Sequence, residues 1–166
     1  MGLESLAEFV YVDAPSLARG DFGWWHAKAR YEGWAGTRDY IISSFGAEGP
    51  FDGVFGFSQG AALTGLLVGL PELSFDFAIM VGGFPAVDSD LQVIYAEAER
   101  YKMPSLHIIG RSDSIVESEY SHALAARFEG PVILEHSGGH VIAATPEIRA
   151  RAATFLEDMR LRATTR

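Results

Sequence analysis

Four times along this chain a short apolar run ends in a glycine-bearing loop and passes into a helical stretch. The runs are 52–57, 75–81, 105–110 and 131–136. Each is too short for a helix and rich in Val, Ile, Leu and Phe, which reads as a strand buried on both faces. The stretches at 59–69, 88–101 and 117–128 are long enough to carry the chain back for another strand in the same direction. An apolar run at 8–12 is expected as a first strand. A helix is expected over 37–46 with Thr37 as N-cap, and another over 146–161 with Pro146 in its first turn. Residues 20–36 are expected as an aromatic-rich loop. The pattern predicts an α/β fold of about five mostly parallel strands flanked by helices. No linker, repeat or low-complexity block divides residues 1–166, so one domain is expected.

Composition narrows the partners. The 166 residues carry a net charge of −9, which disfavours nucleic acid and anionic membranes. Arg160, Arg162 and Arg166 at the end are too few to reverse this and suit a solvated helix end. There is no cysteine, so disulfides and thiol catalysis are excluded. Glu4 and Glu8 interrupt the start, and no run approaches the length of a membrane span. A cytoplasmic protein without a transmembrane segment is expected. No set of His, Asp and Glu has metal-ligand spacing, and neither metal nor cofactor is expected.

The first run leads into Gly56-Phe57-Ser58-Gln59-Gly60, a G-x-S-x-G pattern. With 18 glycines in the chain the five letters alone are weak, and an ordinary glycine-rich turn is the plain alternative. The context is stronger. Val54, Phe55 and Phe57 enter the turn as a strand, and an Ala/Leu-rich helix leaves it. That is the nucleophile elbow, in which a tight strand-to-helix turn holds a serine hydroxyl clear of the sheet. The helix start presents free N–H groups and a positive dipole end to a reacting carbonyl, so the backbone N–H of Gln59 is a candidate oxyanion donor.

Two later loops supply partners. Gly110-Arg111-Ser112-Asp113 closes the third run, and Ser137-Gly138-Gly139-His140 closes the fourth. Functional groups of parallel sheets gather at the carboxyl ends of strands, so Ser58, Asp113 and His140 can converge there. Their order along the chain is that of an α/β-hydrolase triad. His140 would take the Ser58 proton and Asp113 would fix the imidazole tautomer. Asp113 equally suits a turn or N-cap role before Ile115-Val116-Glu117, and His140 could cap or pack the next segment. His107 lies inside an apolar strand and suits a satisfied core position. His136 ends a strand and suits a structural role, while His26 and His122 suggest nothing specific.

Residues 49–62, Gly-Pro-Phe-Asp-Gly-Val-Phe-Gly-Phe-Ser-Gln-Gly-Ala-Ala, closely resemble the signature of the FSH1-type serine hydrolases, the ovarian-cancer-associated protein 2-like group. Tyr11-Val12-Asp13-Ala14-Pro15 is similar to a second family motif. Trp24-Trp25 and Tyr31-Glu32-Gly33-Trp34 fall where the family has its aromatic segment. His136-Ser137-Gly138-Gly139-His140 resembles the family's His-Pro-Gly-Gly-His, with Ser137 replacing proline. The resemblance runs from about Phe9 to Phe155. It implies a cytosolic esterase or thioesterase with Ser58, Asp113 and His140 as triad. In the family pattern a strand ending in His-Gly precedes the Asp-Ala-Pro strand and supplies a second oxyanion N–H. That strand lies between the Asp-Ala-Pro and nucleophile strands. Here Met1–Ala7 looks like the tail of the helix after it. The expectation is that strand 8–12 pairs directly with strand 52–57, or that a homodimer contact near residues 1–13 fills the lane. The second donor would then come from the backbone after Asp13-Ala14-Pro15 or be absent.

For substrate binding, Trp24, Trp25 and Phe84 are the candidates, with Phe22 and Trp34 alongside; plain core packing is the alternative for each. Arg111 is the only cation near the triad loops in sequence, so a phosphate-bearing substrate is disfavoured. Small to medium acyl esters or thioesters are expected. A catalytically impaired scaffold that binds a ligand or partner is the second reading, and peptide or amide hydrolysis on the same scaffold is a third.

Overall fold

The computed structural model of the chain describes residues 2–15, 23–27, 31–96 and 100–165. A short antiparallel pair, β1 (His26–Ala27) and β2 (Tyr31–Glu32), precedes α1 (Trp34–Glu48). The remaining elements alternate: β3 (Gly53–Phe57), α2 (Gln59–Leu67), β4 (Phe77–Val81), α3 (Ser89–Ala96), β5 (Ser105–Gly110), α4 (Ser118–Ala125), β6 (Val132–His136) and α5 (Pro146–Thr164). The four longer strands form one parallel sheet in the order β3-β4-β5-β6. Each strand returns through a helix, which is what a parallel neighbour requires.

Side-chain alternation along the strands divides the core into two faces. Ile79 and Val81 of β4, Leu106 and Ile108 of β5 and Leu134 of β6 pack with Ile148, Ala152, Phe155, Leu156 and Met159 of α5. Ala78 and Met80 point the other way, toward Ala61 of α2 and Leu124 of α4. A further cluster joins Ile41 of α1, Leu63, Leu66 and Leu67 of α2 and Leu91 and Tyr95 of α3. The start of α5 is as the sequence predicts: Pro146 opens it and Thr145 Oγ1 accepts the N–H of Ile148 at 3.2 Å.

Two sequence expectations are corrected. Residues 8–12 form no strand, so the main sheet has four strands rather than five, and 8–12 does not pair with β3. Among the described residues nothing hydrogen-bonds as a strand to the outer edge of β3. Phe9 packs on the α5 side of the core and Val12 on the opposite side, while Tyr11 stacks on Phe9 and is 85% exposed. Side-chain anchoring has replaced a backbone ladder. Thr37, expected as an N-cap, lies fully buried inside α1. The helix starts three residues earlier because Gly33, at φ 92°, adopts the left-handed conformation that lets the chain turn there. The other boundaries differ from expectation by a few residues. Arg166, read from sequence as part of a solvated helix end, lies outside the described residues.

Candidate active site

Between the end of β3 at Phe57 and the start of α2 at Gln59 only one residue is left to reverse the chain. Ser58 does so with φ 56° and ψ −121°, and it is the single non-glycine with positive φ among the described residues. Such a conformation costs on the order of 1–3 kcal/mol and is held by its surroundings. Its N–H donates to Val81 O at 2.9 Å, extending the β3–β4 ladder by one rung. Gly56 must be glycine, since a Cβ there would collide with the backbone of Gly60 and Ala61. Ala61 and Ala62 donate to Ser58 O, whereas Gln59 and Gly60 at the start of α2 have no carbonyl one turn back within the helix.

The parallel register brings the other loops to the same edge. Gly82 N–H donates to Ile108 O, Arg111 N–H to His136 O and Ser112 N–H to Gly138 O. His140, in the loop between β6 and α5, has Nε2 2.8 Å from Ser58 Oγ and Nδ1 2.6 Å from Asp113 Oδ2. Asp113 Oδ1 accepts the N–H groups of Ile115 at 2.9 Å and Val116 at 2.8 Å. One carboxylate oxygen thus meets the imidazole and the other closes a local turn. Burial pushes this carboxyl upward. The hydrogen bonds from Val116 N–H, His140 and Ile115 N–H outweigh that and hold it below the usual carboxylate range. An ionised Asp113 accepts from Nδ1–H, which leaves the Nε2 lone pair facing the Ser58 hydroxyl.

Two neighbours of the imidazole were not singled out in the sequence as its supports. Phe57 lies against it, ring centroids 4.8 Å apart. Gly82, at φ 54°, closes another side. The Gly82-Gly83 pair was the visible signal for the second. His136 is buried, and its Nδ1 accepts the N–H of Gly138 at 3.1 Å, shaping the loop that carries His140. His107 is a core residue, 3.1 Å from Ser105 Oγ and edge-on to Phe128. His122 Nε2 pairs with Glu135 at the surface.

The substrate-binding candidates divide. Trp25 is 2% exposed and sits edge-on to Trp34 in the α1–α3 core. Phe84 and Trp24 are partly buried against the same cluster. Trp24 lies beside the start of α2, where a Cβ on Gly60 would be 3.7 Å from its indole Nε1. Phe22 and the backbone just beyond Pro15, the expected source of a second oxyanion donor, lie outside the described residues. Among the described residues no group of His, Asp or Glu could hold a metal ion, and no helix is long and apolar enough to cross a membrane.

The family model described as Serine hydrolase (FSH1) matches residues 3–151. The chain belongs to this family. It is 37% identical over 149 residues to Esterase OVCA2 of Xenopus tropicalis, covering 80% of this chain and 64% of that protein. It is 32% identical over 178 residues to Esterase CG5412 of Drosophila melanogaster, covering 92% of this chain and 63% of that protein. The chain thus spans a little under two thirds of the length of these relatives. Among solved structures it is similar to esterase PE8, with a TM-score of 0.65 and 22% identity over 89% of this chain and 76% of the other. It also resembles Zea mays acyl-protein thioesterase 2, with a TM-score of 0.58 and 15% identity over 83% and 72% of the two chains. The fold is that of the α/β-hydrolase esterases and thioesterases.

Proposed function

We propose that this FSH1-family chain is a serine esterase or thioesterase that cleaves small to medium acyl groups through Ser58, His140 and Asp113. The observation that carries the reading is the continuous hydrogen-bonded line from Ser58 Oγ through His140 to Asp113, with Ser58 on a strained one-residue turn. Family membership and the name esterase on its relatives support the reaction class.

In the first half-reaction Ser58 Oγ attacks the carbonyl carbon while its proton passes to His140 Nε2. Asp113 stabilises the imidazolium without taking its proton. The oxyanion is met by the N–H of Gln59 at the positive end of α2. The carbon–leaving-group bond then breaks, and His140 returns the proton to the departing alcohol or thiol. In the second half-reaction water loses a proton to His140 and attacks the acyl-Ser58 carbonyl. The acid leaves as Ser58 Oγ regains its proton. Trp24 and Phe84 stand as candidate walls for the acyl group, with Trp25 behind them in the core.

The test is labelling by a fluorophosphonate probe, with the adduct mapped by mass spectrometry, alongside hydrolysis of p-nitrophenyl acetate and butyrate. Labelling at Ser58, lost together with turnover in Ser58→Ala, is the expected result. Hydrolysis that survives Ser58→Ala would refute the assignment. Labelling without turnover would instead favour the impaired scaffold.

A further inference from the structure

Both ends of the Gln59 side-chain amide are bound to backbone groups of the Trp24-Trp25 segment. Its Oε1 accepts the N–H of Trp24 at 2.9 Å, and its Nε2 donates to the carbonyl of Trp25 at 3.0 Å. These partners lie 34 to 35 residues back in the chain. A third anchor acts on the same segment: Thr37 Oγ1, buried inside α1, donates to the carbonyl of Trp24. Trp24 is thus held at both its backbone N–H and its backbone carbonyl. Trp25 adds a buried ring packed edge-on against Trp34. The ring left partly exposed is that of Trp24, and it lies beside Gly60 in the first turn of α2.

We propose that the side chain of Gln59, with Thr37, is a positioning device that sets acyl-group selection by fixing Trp24 against the start of α2. This rests on the serine-hydrolase reading above. Gln59 then has two separable jobs. On that reading its backbone N–H serves the reacting carbonyl, and every residue except proline keeps it. Its side chain ties the acyl-side wall to the residue next to the nucleophile, so wall and nucleophile keep a fixed separation. An acyl chain running from the Ser58 carbonyl along the first turn of α2 meets the Trp24 ring. A small displacement of a positioning contact is felt in selection and rate well beyond its own hydrogen bonds. Neither Gln59→Met nor Thr37→Val changes the charge. The first loses both amide contacts at nearly constant length, and the second loses only the hydroxyl.

The experiment compares wild type, Gln59→Met, Thr37→Val and Thr37→Ser on p-nitrophenyl acetate, butyrate and hexanoate. Acrylamide quenching of tryptophan fluorescence is measured on the same samples. Both Gln59→Met and Thr37→Val are expected to move the butyrate-to-acetate ratio of kcat/KM in one direction by about fivefold, mainly through KM. Both should increase quenching, and Thr37→Ser should restore the wild-type ratio. Ratios and quenching at wild-type values in both would overturn the proposal. So would a shift in Gln59→Met alone, which would place the effect in the oxyanion geometry and not in Trp24. If wild type hydrolyses none of the esters, the functional reading fails separately. Quenching then decides whether the clamp holds Trp24, and unchanged quenching in both variants overturns it.

Discussion

Gly82 packs against His140 so closely that a methyl group on its α-carbon would lie 3.2 Å from the imidazole Cε1 and Nδ1, and 3.5 Å from Asp113 Oδ2. The end of β4 is therefore a wall of the site although it supplies no reacting group. A side chain here would push the imidazole off the line between Ser58 and Asp113. It would also strain the backbone at φ 54°. Gly82→Ala is expected to lower ester turnover by about 10²-fold and stability by about 1–2 kcal/mol. Hydrolysis kinetics and thermal melting read the two effects separately. Wild-type turnover in Gly82→Ala would mean that His140 is not held by this wall.

Asp113 divides its oxygens between two tasks, and substitutions can separate them. Asparagine keeps an oxygen for the Ile115 and Val116 N–H groups but turns an N–H toward His140 Nδ1. The imidazole is then forced into the tautomer whose Nε2 carries hydrogen and cannot accept the Ser58 proton. Asp113→Asn should lose about 10⁴-fold in kcat with a melting temperature close to wild type. Asp113→Ala should lose the turn as well and be about 1–3 kcal/mol less stable. Equal melting of the two variants would show that the Oδ1 contacts contribute little.

At the elbow the constraint is steric and backbone against backbone. A Cβ on Gly56 meets the carbonyl of Gly60 and the N–H of Ala61, none of which can swing aside as a side chain could. Gly56→Ala should fail to hold the turn and yield little soluble protein. Gly60→Ala, whose new methyl would have only the Trp24 indole nearby at 3.7 Å, should fold. Expression yield and circular dichroism distinguish them. A well-folded Gly56→Ala would contradict this account of the turn.

What could be read from the sequence follows from the range of the interaction. The β3–α2 elbow and the loops after β5 and β6 are local patterns, and the parallel register carries them to one edge with Ser58, Asp113 and His140 in contact. The double role of Asp113 could not be resolved because a carboxylate before Ile115-Val116 looks the same whether or not its second oxygen meets a histidine. Residues 8–12 have strand composition, yet pairing depends on a neighbour that composition does not name. Thr37 has the right side chain for a cap, but Gly33 could turn the chain earlier. The Gln59 clamp joins residues more than 30 positions apart through a side chain whose neighbours give no periodic signal.

His107 gives a pH dependence whose sign can be worked out. It is 2% exposed, on the sheet face toward Phe128, with Ser105 Oγ as its polar partner. Burial, followed by the charge of His122, lowers its pKa from 6.5 to about 3. In the unfolded chain His107 takes up a proton as pH falls through 6.5, while in the folded chain it stays neutral until about 3. The unfolded state therefore binds more protons across that window, and stability falls as pH is lowered through it. Between pH 7 and pH 5 this one group should cost about 2 kcal/mol. The lowered Asp113 adds loss in the same direction only as pH falls into the carboxylate range. Urea unfolding at pH 7 and pH 5 should show wild type losing about 2 kcal/mol more than His107→Leu, which carries no titrating group there. The variant should start less stable, because Ser105 Oγ loses its partner, so the difference between the two pH values is the quantity to compare. If wild type and His107→Leu lose the same amount, His107 is not kept neutral by burial and the acid sensitivity belongs to the carboxylates.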